Sequence, residues 1–267
     1  MKQLANIFHI SVLVLLCGCG GGGKTSGPPP QGTNIANNIA GNWQFSTTST
    51  VPGTAPMTIA GSINLSGSAV SGAVHVEGSN CFDRLTAIGL TGTLTGSNIS
   101  LTSTPAGGQI TTFTGSLTDT GFTGTYTING GCADGDQGNV TGIKIPFIAN
   151  ILSGIFTASG GETFDVAADI AQGSSASLEG SFAITGTATF RTSCFSSGTI
   201  MTGTFSSGSF IIGTSVSLLI QTGNGTVAFL GTENLDKGEI SGNYTVVGGT
   251  CDQTGTGVLT TSSPWDY

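Results

Sequence analysis

The chain has 267 residues, only 7% of them charged, with a formal balance of −8, so it offers no basic surface and nucleic acid is excluded as a partner. Gly numbers 45, Ser and Thr are abundant, and apolar residues recur with strand periodicity, which excludes both a disordered chain and a helical bundle. The composition predicts an all-β protein of short strands and many tight turns.

Residues 1–19 read as a targeting segment, with Lys2 as its basic region and an apolar run from Ile7 to Leu16 too short for a permanent membrane span. The tetrad Leu16-Cys17-Gly18-Cys19 resembles the lipobox of bacterial envelope lipoproteins. The resemblance implies diacylation of Cys19 and cleavage before it. Cys17 fits less well, because bulky Leu16 precedes it where a small residue is wanted. Acylation would tie the protein to a membrane, since two chains hold where one binds only marginally. Gly20 rather than Asp follows Cys19, which by the same resemblance favours the outer membrane.

Residues 18–25 match the phosphate-loop pattern in letters only. That loop needs a strand before it and a helix after it, whereas here a leader precedes and Ser26-Gly27-Pro28-Pro29-Pro30 follows. Residues 20–38 are therefore expected to be a Gly- and Pro-rich tether, spanning on the order of 25 Å.

The rest is a duplication, with one β domain at 39–150, a second at 151–262 and a tail at 263–267. Phe122-Thr123-Gly124-Thr125-Tyr126-Thr127-Ile128-Asn129-Gly130-Gly131-Cys132 returns as Ile240 to Cys251. Trp43 and Phe156 lie 113 residues apart, as do Cys81 and Cys194, while Tyr126 and Tyr244 are 118 apart. The drift places a few extra loop residues in the second copy after its first cysteine. In the first copy strands are predicted near 41–48, 57–66, 69–77, 85–95, 97–103, 109–118, 121–129 and 138–146, joined by short Gly- or Ser-rich turns. Such turns favour hairpins between neighbours, and eight strands can close into an up-and-down barrel with no exposed edge. A β-sandwich is the alternative. A parallel solenoid would repeat every 20 to 30 residues or so, far below the period observed. The start Gly41-Asn42-Trp43 resembles the Gly-x-Trp that opens lipocalin and avidin barrels, where the Trp plugs one end.

Cys81, Cys132, Cys194 and Cys251 remain after processing. An exported chain meets an oxidising compartment, and only the pairings Cys81–Cys132 and Cys194–Cys251 give both repeats the same staple. Each is worth roughly 4 kcal/mol on the chain-entropy model. No Cys-x-x-Cys or Cys/His spacing supports a metal, and no cofactor is expected.

His75 occupies the polar side of a strand, at the position Thr189 holds in the second repeat, and reads as an outward histidine rather than a catalytic one. Asp134-Gly135-Asp136-Gln137-Gly138-Asn139 offers half a calcium loop and lacks the later bidentate acid, so it reads as a solvated turn. Asp165 and Asp169 share one strand face opposite Val166 and Ile170, whereas a glycosidase needs acids facing each other across a cleft. The Asn-x-Ser/Thr tripeptides match what a Ser- and Thr-rich chain yields by chance.

The expected protein is thus non-catalytic, because groups for acid–base or nucleophilic work are nearly missing. It is an envelope lipoprotein with a structural or adhesive role. The alternative is a binder of a small apolar ligand inside each barrel. Trp43, Val74, Val76, Phe113, Phe122 and Tyr126 would line the first cavity. Phe156, Phe190, Phe229, Ile240 and Tyr244 would line the second.

Overall fold

The computed structural model describes residues 39–118, 121–177, 180–191, 200–234, 237–248 and 253–261. The leader, the tether, the tail and Cys17, Cys19, Cys194 and Cys251 lie outside the described residues.

The first barrel runs β1 (Gly41–Ser49), β2 (Thr58–Ser66), β3 (Ala69–Glu77), β4 (Ile88–Thr95), β5 (Asn98–Ser103), β6 (Ile110–Leu117), β7 (Gly121–Asn129) and β8 (Gln137–Lys144). Each strand pairs antiparallel with the next, and β1 closes the ring against β8, with Phe45 opposite Gly142 and Thr47 opposite Val140. The fourth strand starts at Ile88 rather than 85, because Asp83 bends the preceding segment by accepting from the Leu85 N–H and the Thr86 hydroxyl. At one end the hairpin turns are tight, as in Ser66-Gly67-Ser68, where Gly67 has φ of 62°. At the other end the connections 50–57, 78–87, 104–109 and 130–136 are longer.

The second barrel runs β9 (Asn150–Ala158), β10 (Thr163–Ala176), β11 (Phe182–Arg191), β12 (Ile200–Phe205), β13 (Phe210–Ile212), β14 (Ser215–Thr222), β15 (Gly225–Asn234), β16 (Glu239–Val247) and β17 (Gln253–Thr261). β12 and β13 are two pieces of one stave between β11 and β14, and β10–β11 pairing closes the ring. Part of the second repeat's extra length is therefore a bulge inside a strand rather than a loop. From Phe205 to Ile211 the stave takes two residues more than β4 takes from Leu90 to Leu94. Buried Ser209 fills the bulge, its Oγ accepting from the Leu219 N–H at 2.8 Å.

The registers correct one equivalence. Phe113 faces Tyr126 as Phe229 faces Tyr244, so those anchors correspond. Traced from β8 and from β2, however, the residue in Trp43's place is Leu152, and Phe156 occupies the place of Thr47. The pairing of Trp43 with Phe156 at 113 residues is therefore out by four residues. An even slip leaves the inward face inward, so the alternation could not reveal it.

Two apolar cores result. Ile39, just before β1, is 1% exposed and joins the first, where its carbonyl accepts from Trp43 Nε1 at 2.7 Å. Ile145 and Ile148, between the barrels, join the second together with Ala60 of β2. The barrels also meet through Asn42 Nδ2, which donates to the Gly173 carbonyl at 2.9 Å, and the Ile148 N–H, which donates to Gln172 Oε1 at 2.8 Å.

Candidate functional site

Among the described residues, five charged side chains of the first barrel gather at its long-loop end, since Glu77, Asp83, Arg84, Asp134 and Asp136 all lie in or beside those connections, with Lys144 apart at the far end of β8, while the strands carry mostly Thr, Ser and apolar residues. Loops held on a rigid scaffold are where recognition residues are ordinarily placed. Three of these connections are fastened together. Cys81 and Cys132 form a disulfide with Cα atoms 5.6 Å apart. Beside it Gln109 is fully buried, its Nε2 donating to the Cys81 carbonyl while its Oε1 accepts from the Ala133 N–H at 3.1 Å. Gly130 and Gly131, with φ of 80° and 63°, let the chain leave β7 into a 3-10 turn over Gly131–Ala133, and Asp134 Oδ1 accepts from the Gly130 N–H.

Asp136 corrects the reading of residues 134–139 as a solvated turn. It is 7% exposed, and its carboxylate accepts from Ser49 Oγ at 2.6 Å and from the Tyr126 hydroxyl at 3.1 Å. The turn folds back over the barrel mouth, so this acid is a buried acceptor between β1 and β7. Burial pushes the Tyr126 phenol above its ordinary value, and the neighbouring Asp136 charge adds to that. Among the described residues no group of three or more His, Cys, Asp or Glu side chains could hold a metal ion.

Outside the mouth, Val76 to Gly78 and the following loop to Arg84 line an open groove of about 590 Å³. His75 faces outward beside it, with Nδ1 3.3 Å from the Arg84 carbonyl, to which it can donate. Thr86 first, and then the Leu85 N–H, hold the Asp83 carboxyl below the usual range. Ser79 Oγ accepts from the Cys81 N–H. The groove thus offers two carboxylates, a guanidinium and amide and hydroxyl groups for polar contacts.

The residues expected to line ligand cavities are all buried inside the barrels, and in the first barrel they fill the space. Trp43 stacks on Phe45 at 5.6 Å, and Phe45 meets Phe122 edge-on at 5.9 Å. Voids of about 10 Å³ remain beside them and beside Val74, Val76 and Phe113, room for about one water molecule. In the second barrel Phe156 stacks on Tyr244 at 4.9 Å and on Phe229 at 5.4 Å, while Phe190 and Ile240 are buried in the same core. Phe45 and Phe164, absent from the expected linings, are central to the two clusters. Their signal was present, since Phe45 follows Trp43 at strand spacing. For Gln109 no sequence signal exists.

Among the described residues, the second barrel has no counterpart of the first one's mouth network. The registers place Ala158 where Ser49 stands and Gln253 where Asp136 stands. The Tyr244 hydroxyl is buried with no hydrogen-bond partner among the described residues. Asp165 and Asp169 do share the outer face of β10, with Ala167 between them. Four residues of strand set them roughly 13 Å apart, beyond the roughly 5 to 9.5 Å of glycosidase pairs. Cross-strand register puts Arg191 opposite Asp165.

No protein-family model matches the chain, and no curated protein matches it. Among solved structures, a crystal structure of kievitone hydratase from Nectria haematococca aligns over 89% of this chain and 95% of that one, with 10% identity and a TM-score of 0.25. A score that low carries no argument about this chain.

Proposed function

We propose that the protein is an envelope lipoprotein, held to the membrane by acyl chains on Cys19, favoured for the outer membrane, with a non-catalytic structural or adhesive role played on the outside of its barrels. The observation that supports this reading over an internal ligand is the filling of the first lumen, where the voids are about 10 Å³. Ligand pockets are ordinarily some thirtyfold larger or more. The outer face, by contrast, carries a stapled loop rim and a polar groove.

Anchoring is tested by growing the producing cells with an alkyne fatty acid and reading the label on the purified chain. Label is expected on the wild type and on Cys17→Ser, and none on Cys19→Ser. A wild-type chain without label, or label that persists in Cys19→Ser, contradicts the anchor.

A further inference from the structure

The outer side of β4–β8 is a lattice of neutral hydrogen-bonding side chains. Cross-strand pairing sets Thr93, Ser100, Thr114, Thr125 and Asn139 in one row over five consecutive strands. All five are exposed. A parallel row, Thr91, Thr102, Thr112, Thr127 and Gln137, runs nearer the long-loop rim. Neither row contains a charge or an aromatic ring. Within a row the side chains stand about 4.8 Å apart, and between rows about 7 Å.

From this we infer that the face binds a neutral, polyhydroxylated polymer, that is, an uncharged polysaccharide. The inference rests on the adhesive reading above and names its partner. Each alternative class lacks what it needs here. A polyanion requires Lys or Arg, and the rows have none. A peptide strand needs an open sheet edge, and the ring is closed. An amphipathic helix needs an apolar groove, and the rows are polar throughout. Hydroxyl and amide groups both donate and accept, as sugar hydroxyls do, and the Thr methyls supply apolar contact for sugar C–H faces. The spacing within a row is close to the length of one hexose unit, so successive sugars can meet successive strands. Single hydrogen bonds of this kind are weak in water, and a row that repeats them along one polymer gains by multivalency. A rigid crystal plane such as ice fits poorly, because neighbouring strands are rotated by about 20 to 25°. A flexible chain can follow that curvature.

The test uses the full-length protein in mild detergent, run in native gels cast with dextran, mannan or a β-1,3-glucan, and with alginate as the polyanion. The wild type is expected to be retarded by at least one neutral polymer and not by alginate. Ser100→Glu with Thr125→Glu should weaken the apparent affinity at least tenfold, and Thr114→Val with Thr125→Val, which keeps side-chain shape and adds no charge, at least threefold. Ile155→Glu with Ala167→Glu, the same charge change on the outer face of the second barrel beside Asp165 and Asp169, should leave it unchanged. Retardation by alginate alone, none by any neutral polymer, or equal retardation of the wild type and both lattice variants overturns the inference. So does inhibition of ice growth that the lattice variants abolish while no glucan retards the wild type. Acyl labelling is read independently, so failure in the gels with the Cys19 label intact removes the polysaccharide partner and leaves the lipoprotein reading standing.

Discussion

Tyr126 and Tyr244 show how the same side chain acquires different energetics in two copies of one fold. The Tyr126 hydroxyl donates to buried Asp136, whereas the Tyr244 hydroxyl is buried without a partner among the described residues. Tyr126→Phe removes a donor from a buried carboxylate and should cost about 1–3 kcal/mol. Tyr244→Phe removes an unsatisfied group and should be neutral or slightly stabilising. Urea unfolding of the two variants checks the contrast, and equal losses would contradict it. The pair of tyrosines was plain in the repeated sequence, but the role of Asp136 was not. An acid in a Gly-rich turn looks solvated until the turn folds over the barrel mouth. Glu233 gives a second case. It follows Val227, Phe229 and Gly231 on the inward face of β15, opposite Ile240, and burial pushes its carboxyl above the usual range. A raised folded value means that its contribution is fully present below the ordinary glutamate range and is lost as pH rises through the folded value. Glu233→Gln should therefore match the wild type in melting temperature near pH 4 and exceed it near pH 7. A constant difference at both pH values would contradict that assignment.

At the scale of elements, the strands of the first repeat were legible nearly residue by residue, because alternation and Gly-rich turns both marked them. Their registers were not. Leu152 rather than Phe156 stands in Trp43's place, since a four-residue slip keeps every side chain on its face. Nor could the sequence separate a loop insertion from the bulge at 206–209, because Ser-Ser-Gly-Ser suits either. The long-loop rim carries the clearest prediction at this scale. The Cys81–Cys132 bond spans 51 residues and fixes two loops that Gln109 also bridges. Cys81→Ser with Cys132→Ser should lower the stability of the first barrel by about 2–5 kcal/mol. Hydrogen exchange should rise first at 78–87 and 130–136, with the strands of the second barrel unaffected. Uniform exchange across both barrels would show that the bond does not act locally.

For the whole molecule, most described charges lie at the long-loop rim of the first barrel and on the outer face of the second, with Glu233 the inward exception and Lys144 at the far end of β8, while neutral hydroxyl groups cover β4–β8 and aromatic side chains occupy the lumina. Inside, the eight-stranded ring is just wide enough for side chains to fill, and Trp43, Phe45, Phe113 and Phe122 fill the first one, which is why the role we propose is placed on the outside. That division was only half legible in the sequence: which residues face inward follows from alternation, but whether they line a space or fill it depends on interior volume. The central claim is therefore tested most directly by native mass spectrometry of the full-length protein purified from its producing cells in mild detergent. The account predicts a mass equal to the processed chain from Cys19 onward plus its acyl groups, unchanged on denaturation. A reproducible excess that leaves when the protein unfolds would contradict it and restore the lumen as a binding site.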